Sequence, residues 1–266
     1  MEIKGGPASS IGVFDSGVGG LSILHELKEL MPNESYVFFA DQRHVPYGQK
    51  TKSELVALTS TIMEFFKARE VKMVVAACNT ATCYAIDDLR SKFEIPIVGV
   101  VPAIKPAAEQ TKTGEIALLA TPATAASPYV SKLIETFAAN IRVRRIGCDG
   151  LEDRLEQGDL EGKITGELLD KYVRPLKETK VDQVVLGCTH YPFLKEQIAS
   201  ILGPGVSVID SGQAVAKRAA AVLEERSLKN TETALADRFF TNKSVAEFSR
   251  VASKLLGRSI AAQYSE

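Results

Sequence analysis

Apolar runs recur twice along this chain in the same order, and that recurrence narrows the possible folds more than any other feature. The first set is Ile11-Gly12-Val13-Phe14, Tyr36-Val37-Phe38-Phe39-Ala40, Val74-Val75-Ala76-Ala77 and Ile95-Pro96-Ile97-Val98-Gly99-Val100-Val101. Amphipathic helical spacing separates the runs, as in Leu21, Leu24, Leu27 and Leu30. Little more than a hundred residues later come Glu115–Thr121, Ile141–Ile146, Val184-Val185-Leu186 and Val206–Ile209, in matching order. Strands alternating with helices build parallel sheets through βαβ connections. The expected fold is therefore two similar α/β domains with parallel sheets, related by an approximate two-fold pseudo-symmetry. A helix over 213–225, a strand at Arg238–Thr241 and a helix over 244–256 have no second copy. They are expected to complete the first domain, 1–101 with 211–266, leaving 102–210 as the second and the active site in the cleft between them.

The third run of each set ends at a cysteine followed by polar residues: Cys78-Asn79-Thr80 and Cys188-Thr189-His190. Open α/β sheets bind ligands at the carboxyl ends of their strands. Two thiols delivered there by two facing copies could work on opposite faces of one carbon, which is what inverting a stereocentre requires. One thiolate would remove a proton while the other thiol donates one. A cysteine ending a buried strand is ordinarily a small core residue, and Cys83 and Cys148 are read that way. Thr80 and Thr189 suit either substrate contacts or helix N-caps. Asp15, ending the first strand, would raise a neighbouring thiol's pKa, so it suits an ammonium contact or a proton relay. His190 can pair with Cys188 as acid or base. Gly17-Val18-Gly19-Gly20 hints weakly at a dinucleotide loop, but Ser22 stands where a third glycine belongs and Asp15 would repel phosphate.

Composition removes several classes. With 32 basic and 33 acidic residues there is no electrostatic case for a nucleic-acid or membrane partner. No apolar run approaches a bilayer span, and Met1–Ser10 lacks the core of a secretion signal. Four cysteines in 266 residues make no disulfide scaffold and suit reducing cytoplasm. Their spacing suggests no metal site, and no lysine is placed for a pyridoxal Schiff base.

At Asp15-Ser16-Gly17-Val18-Gly19-Gly20-Leu21, Pro46-Tyr47-Gly48, Cys78-Asn79-Thr80 and Gly187-Cys188-Thr189-His190-Tyr191-Pro192 the sequence resembles glutamate racemase, of the cofactor-independent aspartate/glutamate racemases. The likeness runs over nearly the whole chain. It implies flavodoxin-like domains, interconversion of L- and D-glutamate for peptidoglycan without a cofactor, and a homodimer. It also implies Cys78 and Cys188 as the two acid/bases, with Asp15 assisting the first and His190 the second. Ser16, Tyr47, Gly48, Asn79, Thr80, Thr189 and His190 match substrate-holding positions, and Glu156, in Leu155-Glu156-Gln157-Gly158, matches a supporting glutamate. The chain departs from the family at Cys148-Asp149 and Asp153, where the family usually has Cys-Pro and a second proline. Only ten residues precede the first strand, so the N-terminal extension of activator-dependent members is not expected. Aspartate racemisation, decarboxylation, thiol hydrolysis through Cys188 and His190, and plain ligand binding are the competing readings.

Overall fold

Valine, isoleucine and phenylalanine alternate between the two faces of the first strands, so both faces must be covered. In the computed structural model, which describes residues 5–266, they are. Residues 1–4, which enter the reading of the N-terminus, lie outside the described residues. The chain runs β1 (Ile11–Asp15), α1 (Leu21–Leu30), β2 (Tyr36–Ala40), α2 (Lys52–Lys67), β3 (Met73–Ala76), α3 (Asn79–Lys92) and β4 (Ile97–Gly99). It continues through α4 (Ile104–Gln110), β5 (Glu115–Ala120), α5 (Pro122–Ala126), α6 (Pro128–Phe137), β6 (Arg142–Gly147), α7 (Leu151–Glu156) and α8 (Lys163–Tyr172). The last elements are β7 (Gln183–Leu186), α9 (Lys195–Leu202), β8 (Ser207–Ile209), α10 (Gly212–Glu225), β9 (Arg238–Thr241), α11 (Val245–Leu256) and β10 (Ala262–Tyr264).

Two wholly parallel sheets result, ordered β10-β9-β2-β1-β3-β4 and β6-β5-β7-β8. The stretch β2-β1-β3-β4 is repeated strand for strand by β6-β5-β7-β8, the order expected of flavodoxin-like units. Side-chain alternation sorts the cores. Ile11, Val13, Phe38, Met73 and Val75 face α1, α10 and α11 in one cluster. Phe14, Val37, Phe39, Val74 and Ala76 pack with α2 and α3 in another. The second sheet likewise divides Ala117, Leu119, Val184 and Leu186 from Ile116, Leu118 and Val185. Edge strand β6 is blunted with Arg142, Arg144 and Arg145, which discourages pairing with another chain.

Three features depart from the sequence reading. The first sheet gains β10, a three-residue edge strand with too little alternation to read. Thr80 and Thr189 do not cap helices. The N-cap of α3 is Cys78, with no side-chain cap bond, and Thr80 lies inside the helix. After Cys188 the chain makes a 3-10 turn at Tyr191–Leu194, and α9 starts only at Lys195. Pro192 has no N–H to give and sits at the start of that turn.

Candidate active site

Identical strand order puts each sheet's topological switch point in the same place, between β1 and β3 and between β5 and β7. One ladder bond is duplicated there: Ala77 N–H donates to Phe14 O at 2.8 Å, and Gly187 N–H donates to Leu119 O at 2.7 Å. The next residue in each copy is the cysteine, so Cys78 and Cys188 are backbone equivalents. Both line one cavity, together with Ser16, Tyr47, Gly48, Asn79, Thr80, Thr189 and His190. Of the residues expected from the sequence, only Asp15 and Glu156 stand behind this lining. Thr121 and Glu152 line it as well and were not anticipated. Thr121 could have been found, because it follows β5 as Ser16 follows β1.

Asp15 closes β1 with no exposed surface. Its Oδ2 accepts Gly20 N–H at 2.7 Å and the Thr189 hydroxyl at 3.4 Å, while Oδ1 accepts the Ser16 hydroxyl at 3.4 Å. Cys78 in turn donates to Ser16 Oγ at 3.8 Å. Burial raises the Asp15 pKa despite the opposing pull of His190. Burial and then the Asp15 charge push the Cys78 thiol well above its ordinary range.

The second thiol has different neighbours. His190 Nδ1 lies 3.5 Å from Cys188 Sγ, and His190 Nε2 donates to Glu156 Oε1 at 2.6 Å. Burial alone would lower the His190 pKa, but its bonds to Cys188 and Glu156 prevail and hold it well above the usual imidazole range. Glu156, although buried, is lowered by His190, Gln42 and the Val18 N–H. The pair is thus an imidazolium beside a carboxylate. Burial raises the Cys188 thiol, and His190 pulls it back.

Glu156 is held by groups far away in sequence: Val18 N–H donates to Oε1 at 2.7 Å and Gln42 Nε2 to Oε2 at 2.9 Å. A side chain on Gly17 would place its Cβ 1.9 Å from Glu156 Oε1, and one on Gly19 would meet the His190 ring at 2.5 Å. The glycine loop that faintly suggested a dinucleotide site is filled instead by the second thiol's supporting pair. Tyr47 donates its hydroxyl to Asp41 at 2.5 Å, and Asp41 also accepts Asn242 Nδ2 at 2.5 Å. The Thr80 hydroxyl shares a cluster with Thr121 and Thr124 at 3.3 and 3.1 Å. Cys148 and Cys83 keep ordinary thiols, pushed by burial up to about 12 and about 11. Among the described residues no group of three or more His, Cys, Asp or Glu side chains is arranged to hold a metal ion. None of the described helices is long and apolar enough to cross a membrane.

Two thiols on one cavity, one beside a carboxylate and the other beside an imidazolium, can take up and release protons at two points around a bound molecule. Comparison with known proteins places the chain among racemases. The chain is 42% identical over 242 residues to a glutamate racemase of Herpetosiphon aurantiacus, covering 91% of this chain and 95% of that one. It is 43% identical to that of Ectopseudomonas mendocina, covering 93% and 94%. A solved glutamate racemase isoform from Bacillus anthracis superposes with a TM-score of 0.89 at 30% identity, over 97% of both chains. The Escherichia coli glutamate racemase, solved with L-glutamate and the activator UDP-MurNAc-ala, gives 0.86 at 33% identity, over 97% and 98%. The profile of the Asp/Glu/Hydantoin racemase family matches residues 11–219. This chain belongs to that family.

Proposed function

We propose that the protein is a glutamate racemase that interconverts L- and D-glutamate by a two-base mechanism without a cofactor. The observation that carries the reading is the backbone equivalence of Cys78 and Cys188 on one shared cavity. In each direction one thiolate takes the α-proton and becomes a thiol. The opposite thiol gives its proton to the other face of the carbanion and becomes a thiolate, so the exchange balances. Asp15 assists Cys78 through Ser16, and His190, held by Glu156, assists Cys188. Ser16, Tyr47, Gly48, Asn79, Thr80 and Thr189 bind the substrate, and the N-terminus of α3 favours a substrate carboxylate. We assign the chemistry to a cleft between residues 1–101 with 211–266 and residues 102–210. The role is supply of D-glutamate for peptidoglycan in the cytoplasm, by a homodimer.

The Cys188–His190–Glu156 chain also has the composition of a thiol hydrolase's working group. Such an enzyme would leave Cys78 without a task and would form an acyl-enzyme visible by mass spectrometry. Proton NMR of L-glutamate with the protein in deuterated water separates the readings. Racemisation predicts loss of the α-proton signal together with appearance of D-glutamate, and absence of both would refute it.

A further inference from the structure

The short helix α7 turns two of its side chains toward the cleft. Glu152 and Glu156 are four residues apart and share one helical face, while Leu151 and Leu155 on another face enter the core of the second sheet. Glu156 finds His190, Gln42 and Val18. Glu152, one turn earlier, lines the cavity beside Cys188 and His190, and its Oε2 is buried with no hydrogen-bond partner. A buried carboxylate oxygen without a donor is costly unless something else supplies one. The exposed neighbour Asp153 already places an acid in the first turn of α7, so helix-end electrostatics do not require Glu152.

The charges around the cavity identify the missing donor. Its lining has no lysine or arginine, both ring nitrogens of His190 are engaged with Cys188 and Glu156, and Glu152 is its sole carboxylate. Asp15, the acid beside Cys78, has no exposed surface, and both its oxygens already accept hydrogen bonds. Asn79 Oδ1, a second buried acceptor without a partner, lines the same cavity. An α-amino acid between the thiols brings one strong cationic donor, its ammonium.

We propose that Glu152 is a substrate-binding residue whose carboxylate receives the α-ammonium group on the Cys188 side of the cleft. This rests on the racemase reading above. Charge-assisted hydrogen bonds contribute roughly 1.5–3 kcal/mol, equivalent to about 10- to 100-fold in affinity.

The test compares wild type with Glu152→Gln and Glu152→Val, using steady-state racemisation of L- and D-glutamate and competitive inhibition by glutarate. Glutarate keeps both carboxylates and lacks the ammonium. In both variants KM for either enantiomer should rise about 10- to 100-fold with a much smaller change in kcat. Glutarate should bind more tightly, because an opposing negative charge has been removed. That reversal of sign is one a general loosening of the pocket would not produce. An unchanged KM in Glu152→Gln, or equal weakening of glutamate and glutarate, would overturn the assignment while leaving the racemase reading intact. No turnover by wild type would overturn both.

Discussion

Around Cys78 the nearest charge is the Asp15 carboxylate, whereas around Cys188 it is the His190 imidazolium. The backbones of the two halves agree residue by residue at these points, since the paired ladder bonds align Asp15 with Ala120 and Thr80 with His190. The duplication therefore supplies the two thiols, and two local substitutions give them opposite company. An anion beside Cys78 holds that group as a thiol. A cation beside Cys188 makes its thiolate easier to form. The pair is symmetric in position and asymmetric in proton affinity.

Removing either thiol breaks the comparison most severely. Cys78→Ala and Cys188→Ala should each reduce racemisation by at least about 10³-fold, within the range of positioned acid–base groups. Turnover at the wild-type rate by either variant would show that one thiol suffices.

A smaller loss should come from the support on one side only. In Glu156→Gln the buried His190 loses the carboxylate that raises its pKa, so the Cys188 thiolate loses its counter-charge. The rate should fall about 10²-fold. On the proposed mechanism the thiolate is the base, so the rise of kcat/KM with pH should move to higher pH. The linked stability has a sign at each end. His190, raised in the fold, contributes stability that is lost as pH rises through its folded pKa. Glu156, lowered in the fold, contributes stability that is lost as pH falls through its own. The difference in unfolding free energy between wild type and Glu156→Gln should therefore be greatest between about pH 4.5 and 6.5, the ordinary carboxylate and imidazole values, and shrink on either side.

The glycine loop sharpens the comparison further. Gly17→Ala would drive a methyl group into the Glu156 carboxylate, whereas the nearest atom to a Cβ on Gly48 is 3.7 Å away, an ordinary contact. Gly17→Ala should cost about tenfold in rate, as a mild form of Glu156→Gln. Gly48→Ala should leave Glu156 and the pH profile in place. The smallest effect belongs to the thiols outside the lining. Cys148→Ala should leave kcat/KM essentially unchanged and cost about 1–2 kcal/mol in denaturant unfolding.

The parts of the site visible in the sequence were those carried by strand periodicity. The runs ending at Cys78 and Cys188 are buried on both faces and read as strands without ambiguity. The thiols, Asp15 and the polar residues after each cysteine followed from where those strands stop. The purpose of Gly17 and Gly19 was hidden, because it depends on Glu156 and His190, more than a hundred residues away. Glu152 was hidden for a different reason. A six-residue helix holds too few turns for a face to announce itself, and only the placement of Glu156 shows which way it points. The Thr80 cap reading failed because a threonine after a strand looks alike at the N-cap and two residues into a helix.

Glu156 takes two of its three donors, Val18 N–H and Gln42, from the loops that follow β1 and β2. Any opening that separates α7 from the β1 loop strips those donors away and leaves the carboxylate with His190 alone. On the proposed mechanism the orientation of the Cys188–His190–Glu156 chain is thus tied to closure, because the carboxylate that aims His190 is itself aimed by groups of the other half of the chain. What fixes the imidazole beside Cys188 is therefore one carboxylate resting on a loop of glycines from a distant part of the chain.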